Sequence, residues 1–339
     1  MNQEIISRQG LSQWLAGLLP DHTVIAPVLR HGRDFFAIIE SAGEVNWDAG
    51  RTANPAKEFF FPASEAIVRW RMAPTSADGV QPGGLQIEAP LAERPQVLFG
   101  ARPCDGKALD VLDRLLLAAP ADVYYGTRRA RTTVVGWACE QPFEGCFCET
   151  VGGGPADARF LDVMLTRRGD AYAIDAITEK GRQLLVGAKT EPGDVPALTP
   201  RDTPALQMPP AAAWRSQFDA AFWAELAQRC LGCRTCTYDC PVCYCFDVRD
   251  RTLADGTIER LRCWDSCQGA QCFAIAGGHN PRPTQAARQR QRYMHKFLYY
   301  PEREGVALCV GCGRCVVDCP ANVDIREVIA AIAASAASA

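Results

Sequence analysis

The stretch Cys230-Leu-Gly-Cys233-Arg-Thr-Cys236-Thr-Tyr-Asp-Cys240-Pro241 recurs further along the chain as Cys309-Val-Gly-Cys312-Gly-Arg-Cys315-Val-Val-Asp-Cys319-Pro320. Both copies read C-x2-C-x2-C-x3-C-P. Three cysteines at two-residue intervals let one tight loop reach three irons of a cubane, and the proline after the fourth ends that loop. In two-cluster ferredoxins the fourth cysteine of each run ligates the other cluster. The spacing therefore assigns Cys230, Cys233, Cys236 and Cys319 to one [4Fe–4S] cluster, and Cys309, Cys312, Cys315 and Cys240 to a second. A pair of zinc sites is the plainer alternative, because C-x2-C also serves zinc ribbons. Zinc rarely takes three evenly spaced cysteines followed by Cys-Pro, and here it would have to do so twice. The intervening residues 241–308 are far more than a minimal ferredoxin needs. That length points to clusters mounted between helices, as in α-helical ferredoxins, with an elaborated insertion.

Working outward, helices flank the motifs. Ser216 is a candidate N-cap for a helix bearing Phe218, Phe222 and Leu226, which leads into Cys230. Asp324 caps a closing helix with Ile325, Val328, Ile329 and Ile332 inward, and the final ASAASA is expected to fray. Before them lies a Pro-rich linker, residues 191–213, with Pro192, Pro196, Pro200, Pro204, Pro209 and Pro210. Residues 1–190 alternate apolar runs with helical patterns, as an α/β domain does. The expected fold is thus α+β, an N-terminal α/β-type domain followed by a helical dicluster domain over residues 214–339.

Within the first domain, Val97–Phe99 reads as a buried strand leading into GARPCDG and a helix with Leu109, Leu112 and Leu116 on one face. Thr132–Val135 reads as a second strand, ending in GWAC. Cys104 and Cys139 then lie just beyond strand ends, where ligands gather in open α/β sheets. With Cys146 and Cys148 they make a candidate third cluster set. Two alternatives stay open: packed thiols, or a single reactive Cys104 at a helix N-terminus. Cys243, Cys245, Cys263, Cys267 and Cys272 match no known metal signature and are expected to line the cluster pocket as buried thiols, a further metal site being the alternative. Arg282, Arg288, Arg290, Arg292 and Lys296 form a basic run. Such runs are usually solvated helix faces, although near an anionic cluster one can stabilise the reduced state or dock an acidic partner.

Composition sets bounds. The chain has 339 residues, 48% of them hydrophobic and 22% charged, with a net charge of -3. These are values of a globular protein of two or three domains, not of a nucleic-acid binder. The opening MNQEIISRQGLSQWLAGLLP reads as an amphipathic helix and not as a signal peptide, and no apolar stretch is long enough to cross a bilayer. The expected setting is cytoplasmic, where 17 cysteines against four histidines mean thiolate metal sites and not disulfides. Gly152-Gly153-Gly154-Pro155 does not fit a dinucleotide fingerprint, and neither a Ser/His/Asp triad nor H-E-x-x-H is found. An active site of its own is not expected, so electrons must arrive from one partner and leave to another.

These residues resemble the beta subunits of soluble sulfhydrogenases, the cytosolic NADP-linked nickel–iron hydrogenases, together with the iron–sulfur electron-transfer subunit of anaerobic sulfite reductase. The resemblance covers nearly the whole chain. It runs through TANPAKEFFFP from Thr52, GARPCDGKALDVLD, DVYYGTRR, CEQPFEGCFCE, CPVCYCFDV, RCWDSC, AGGHNPRP, MHKF and CVGCGRC. It implies an electron-relay subunit working with catalytic subunits and with a flavin and NAD(P)-binding subunit. The catalytic partners are the small and large subunits in a hydrogenase, or the sirohaem subunit in a sulfite reductase. The GARPCD loop and the downstream cysteines also look like the cluster-binding part of deazaflavin-dependent hydrogenase beta subunits, which implies a third [4Fe–4S] cluster on Cys104, Cys139, Cys146 and Cys148. A redox-sensing or assembly module is the rival of another class, and a stand-alone enzyme is disfavoured by the missing nucleotide fingerprint.

Overall fold

The computed structural model describes residues 3–72, 84–92, 94–193 and 206–337. Among them are two sheets, whose strands are β1 (Gln3–Ser7), β2 (Thr23–Arg30), β3 (Arg33–Ile38), β4 (Ser64–Met72), β5 (Leu85–Glu88), β6 (Gln96–Ala101), β7 (Thr132–Trp137), β8 (Val163–Arg168), β9 (Ala171–Ala176), β10 (Glu191–Gly193), β11 (Phe246–Thr252) and β12 (Ile258–Trp264). The helices are α1 (Arg8–Leu18), α2 (Pro103–Leu116), α3 (Val123–Arg131), α4 (Glu179–Leu184), α5 (Ala211–Ser216), α6 (Phe222–Arg229), α7 (Thr235–Tyr238), α8 (Gln285–Met294), α9 (Tyr300–Glu304), α10 (Arg314–Val317) and α11 (Ile325–Ala337). The fold is a mixed α/β body with a helical C-terminal part that carries the repeated cysteine motifs.

The larger sheet has eight strands in the order β10-β1-β9-β8-β7-β6-β2-β3, and β2, β6, β7 and β8 run parallel. Parallel strands need cover on both faces, so these are buried along most of their length, although β8 ends in Thr166, Arg167 and Arg168. Successive residues of β6 divide between the faces. Val97 and Phe99 pack with Leu11, Trp14 and Leu15 of α1, while Leu98 packs with Leu109 and Leu112 of α2 and Tyr125 of α3. The strands expected at 97–99 and 132–135 are both present, and Cys104 and Cys139 follow their C-terminal ends.

Four expectations need correction. The N-terminus is not helical from the start: Gln3–Ser7 pairs with β9 and β10, and Ser7 then caps α1 by accepting from the Gly10 amide at 3.0 Å. Ser216 does not begin a helix. It ends α5, its hydroxyl donating back to the Ala213 carbonyl at 3.0 Å, and Phe222 and Leu226 belong to the separate α6. ASAASA is helical as far as Ala337, with residues 338–339 outside the described residues. Of the Pro-rich linker, residues 194–205 lie outside the described residues; at its ends Glu191–Gly193 forms an edge strand and Ala211–Ser216 a helix.

The smaller sheet, β11-β12-β4-β5, joins distant parts of the chain: the hairpin Phe246–Trp264 within the expected insertion pairs with β4 from the first hundred residues. Its hairpin turn uses Gly256 at φ +80°. In the C-terminal part Trp214, Trp223, Leu226, Tyr293 and Phe297 pack with Ile325, Val328, Ile329 and Ile332 of α11, whose first turn Asp324 caps by accepting from the Arg326 amide at 2.8 Å. A smaller core of Ala108 and Val111 from α2 with Cys240, Leu308, Val310 and Cys312 fastens the cysteine loops to that helix.

Candidate iron–sulfur centre

The two motif loops fold alike. Gly232 and Gly311 adopt φ +68° and +64°, and their amides reach back to Cys230 Sγ and Cys309 Sγ, each at 3.4 Å. Left-handed turns of this kind aim successive amides inward, so that the loop offers N–H donors to sulfur. A four-residue helix follows in each, α7 and α10, and carries the chain to Cys240 and Cys319.

Two adjoining cavities lie between the loops. The first is lined by Cys230, Cys233 and Cys236 and by Cys319 of the other motif. The second is lined by Cys309, Cys312 and Cys315 and by Cys240 of the first motif. Cys315, Arg292 and Ile325 line both. Among the described residues, no three His, Cys, Asp or Glu side chains converge closely enough to hold a single metal ion. Four cysteines around a space are a donor set of the kind that a [4Fe–4S] cluster takes.

The four cysteines of the third set are also neighbours. Cys146 Sγ and Cys148 Sγ are 3.8 Å apart. Their shared hydrogen bond, burial, and the nearby Cys104 and Cys139 hold the Cys148 thiol well above its ordinary pKa. Burial, Asp105, Cys312 and Cys139 push the Cys104 thiol up as well. This set lies against the second motif loop. The Phe147 amide donates to the Gly311 carbonyl at 2.8 Å, and a Cβ on Gly311 would sit 2.6 Å from the Cys148 backbone. A Cβ on Gly313 would sit 2.5 Å from the Gly145 backbone. Arg51 donates to the Glu144 carbonyl at 2.8 Å and to that of Cys312. Arg314, fully buried, ties the second motif to the first turn of α2 through Asp105 at 2.9 Å and to Thr52 Oγ1 at 3.0 Å.

Of the two readings of the basic run, the solvated helix face fails. Arg288, Arg292 and Lys296 are buried, not solvated. Lys296 Nζ donates to Cys240 Sγ at 3.2 Å and to the Leu308 carbonyl at 2.9 Å. Burial works to lower its pKa, but the Cys240 and Cys243 sulfurs outweigh that and raise it. Arg292 comes within 3.9 Å of Cys243 Sγ, and Gln285 Nε2 within 3.1 Å of Cys230 Sγ. Only Arg282 and Arg290 keep partly exposed positions, Arg290 lying 3.8 Å over the Phe218 ring. The available signal was the fourfold spacing of 288, 292 and 296, which puts the three on one helix face.

Lys57, within TANPAKEFFFP, was also missed. It is buried over the Trp264 ring and donates to the Cys243 carbonyl at 2.9 Å; burial lowers its pKa. The five remaining cysteines, expected to line the cluster pocket as buried thiols, do not line either cavity, and only Cys267 of them is buried. Cys243 shares a hydrogen bond with Cys240, Cys245 with Cys267 and Cys272, and Cys263 lies 3.5 Å from Ser64 Oγ.

Residues 229–323 match the family model of the 4Fe-4S dicluster domain. The chain is therefore an iron–sulfur protein with an electron-transfer role. Among the described residues no helix is long and apolar enough to cross a membrane. No solved structure matches the chain. Among curated proteins it is 32% identical over 320 residues to the sulfhydrogenase 2 subunit beta of Pyrococcus furiosus, an alignment covering 90% of this chain and 91% of the relative. With likeness of that extent and the dicluster domain inside it, the chain belongs to the sulfhydrogenase beta-subunit family.

Proposed function

We propose that this chain is the electron-relay subunit of a cytoplasmic nickel–iron hydrogenase, linking a flavin and NAD(P)-binding subunit to the hydrogenase small and large subunits. In this reading Cys230, Cys233, Cys236 and Cys319 hold one [4Fe–4S] cluster and Cys309, Cys312, Cys315 and Cys240 a second. Cys104, Cys139, Cys146 and Cys148 hold a third. Residues 1–190 carry that third set, and residues 214–339, beyond the 191–213 linker, carry the pair. Such clusters, when bound, supply one-electron carriage. The observation that carries the reading is that each cavity is lined by the first three cysteines of one motif and the fourth of the other, with Cys315 lining both.

The chain's own residues supply position and environment. The close approach of Gly145 to Gly313 and of Cys148 to Gly311 keeps the third set beside the second cavity. At the opposite end Leu231 and Cys233 are exposed, giving the first cavity an outer face that a partner's carrier can approach. Burial of Cys240, Cys309 and Cys312 keeps water and oxidants from three sulfurs of the second set. The relative's name favours a hydrogenase over the sulfite reductase that the resemblance also raised.

Iron and acid-labile sulfide per chain, with paramagnetic resonance of the reduced protein, test the assignment. Three cubanes give about twelve irons per chain and two give about eight. Zinc without iron at the motif cysteines, in protein prepared without oxygen, would end the reading. Chains that co-purify decide the complex: a nickel–iron large subunit supports the hydrogenase, a sirohaem subunit the alternative. A redox-sensing module predicts labile clusters that stay oxidised when NAD(P)H and the flavoprotein are added.

A further inference from the structure

The two motif loops contribute alike at their first cysteines. Each gives one glycine amide to its first cysteine at 3.4 Å, and each carries an aspartate just before its last cysteine, Asp239 and Asp318. What differs is the buried Arg314 of the second loop, its charge paired with Asp105, the Val323 amide that donates to Cys319 at 3.2 Å, and the helix laid along the loops. Gln285 contacts Cys230 and Gln289 lines the first cavity, both neutral amides. Arg292 lines both cavities, and Lys296 lines the second, bonded to Cys240. Arg292 and Lys296 are 3% and 2% exposed, and among the described residues neither pairs with a carboxylate. Arg234 also lines the first cavity, but its side chain is 41% exposed and faces Asp265 at 3.9 Å.

We infer that α8 and the turn after it set the order in which the paired centres are reduced: the one held by Cys309, Cys312, Cys315 and Cys240 takes its electron at the higher potential. This rests on the cluster reading given above and extends it. Reduction adds a negative charge, and a fixed, desolvated cation touching a ligand sulfur stabilises the reduced form. Lys296 does this at the second cavity alone. Water acts in the same sense at the more open first cavity, but its mobile dipoles are a weaker source of field than a full charge held in hydrogen-bond contact inside the protein. Electrons therefore collect at the inner centre, beside the third cysteine set.

The test uses the full chain prepared without oxygen, with iron counted in every sample and each reduction step followed by paramagnetic resonance at controlled potential. Cys233→Ser and Cys312→Ser assign the steps. Lys296→Met is expected to lower the upper step and leave the lower one in place, and Lys296→Arg to restore it. Gln285→Lys adds a cation beside Cys230 and is expected to raise the lower step. The inference is overturned if the Cys312 step is the lower one in the unaltered protein. It is equally overturned if iron-replete Lys296→Met leaves that step unmoved. Should Lys296→Met lose iron, the direction of the Gln285→Lys shift decides: upward supports the inference, no movement overturns it. Protein without iron would instead sink the underlying cluster reading.

Discussion

At the scale of single residues, the repeat is a controlled comparison. Position 234 is an arginine at φ +70°, and its counterpart is Gly313 at φ +76°. A left-handed arginine costs about 1–2 kcal/mol and the first loop bears it. The second loop cannot, because the Gly145 backbone occupies the space a Cβ would take. Gly311→Ala and Gly313→Ala should each cost about 2–4 kcal/mol, combining backbone strain with overpacking. Gly232→Ala, whose nearest obstacle is the Gln285 side chain at 3.7 Å, should cost only about 1–2 kcal/mol. Urea unfolding followed by tryptophan fluorescence distinguishes them, and equal losses would argue against docking as the reason for the glycines. The motif spacing disclosed the loops, but not this requirement. Nothing near Gly313 in the chain announces that Gly145 will lie against it.

Among elements, α8 shows how far periodicity carries and where it stops. The parallel strands and α2 were legible because their apolar patterns contain their own explanation. QAARQRQRYM does not: by hydropathy it belongs in water, and one face is buried because groups on other segments receive its polar side chains, the Cys230 sulfur taking Gln285, the Pro283 carbonyl Arg288, and the Phe218 carbonyl and ring Arg290. Strand β1 was hidden for a similar reason, since five residues become a strand only when β9 and β10 arrive from far along the chain. The π-helical turn His295–Tyr299 that follows α8 holds His295 against the Tyr244 hydroxyl at 3.1 Å. Burial, then Lys296, Arg303 and Arg282, lower the His295 pKa from 6.5 to about 4. An unfolded chain binds this proton near pH 6.5 and the folded one only near 4, so stability is lost as pH falls between those values. The loss should approach about 2–3 kcal/mol. Thermal unfolding at about pH 7 and about pH 5 measures it, and His295→Gln should flatten the difference. An unchanged slope in that variant would assign the acid sensitivity elsewhere.

For the molecule as a whole, the small sheet is the seam. Arg262 on β12 is buried with Glu65 of β4 and also reaches Asp122 at the cap of α3, while Arg128 meets the other Glu65 oxygen at 2.7 Å. Arg262→Met would leave Glu65 buried with half its partners, at a cost of about 3–5 kcal/mol. Hydrogen exchange should then show β4, β11 and β12 opening together, whereas loosening of the hairpin alone would mean that the seam is held by something else. The sequence showed two cysteine-rich regions and a proline-rich stretch between them. It did not show this join, because pairing across such a distance leaves no local pattern. Ser64 and Cys263, neighbours in the finished sheet, are 199 positions apart. A ribosome making this protein therefore releases β4 with one side unmatched and must add most of the remaining chain before β12 can reach it. Through that interval the newborn N-terminal half carries an open strand edge, so slowed translation ahead of residue 258 should favour aggregation of a truncated product over its survival as a separate piece.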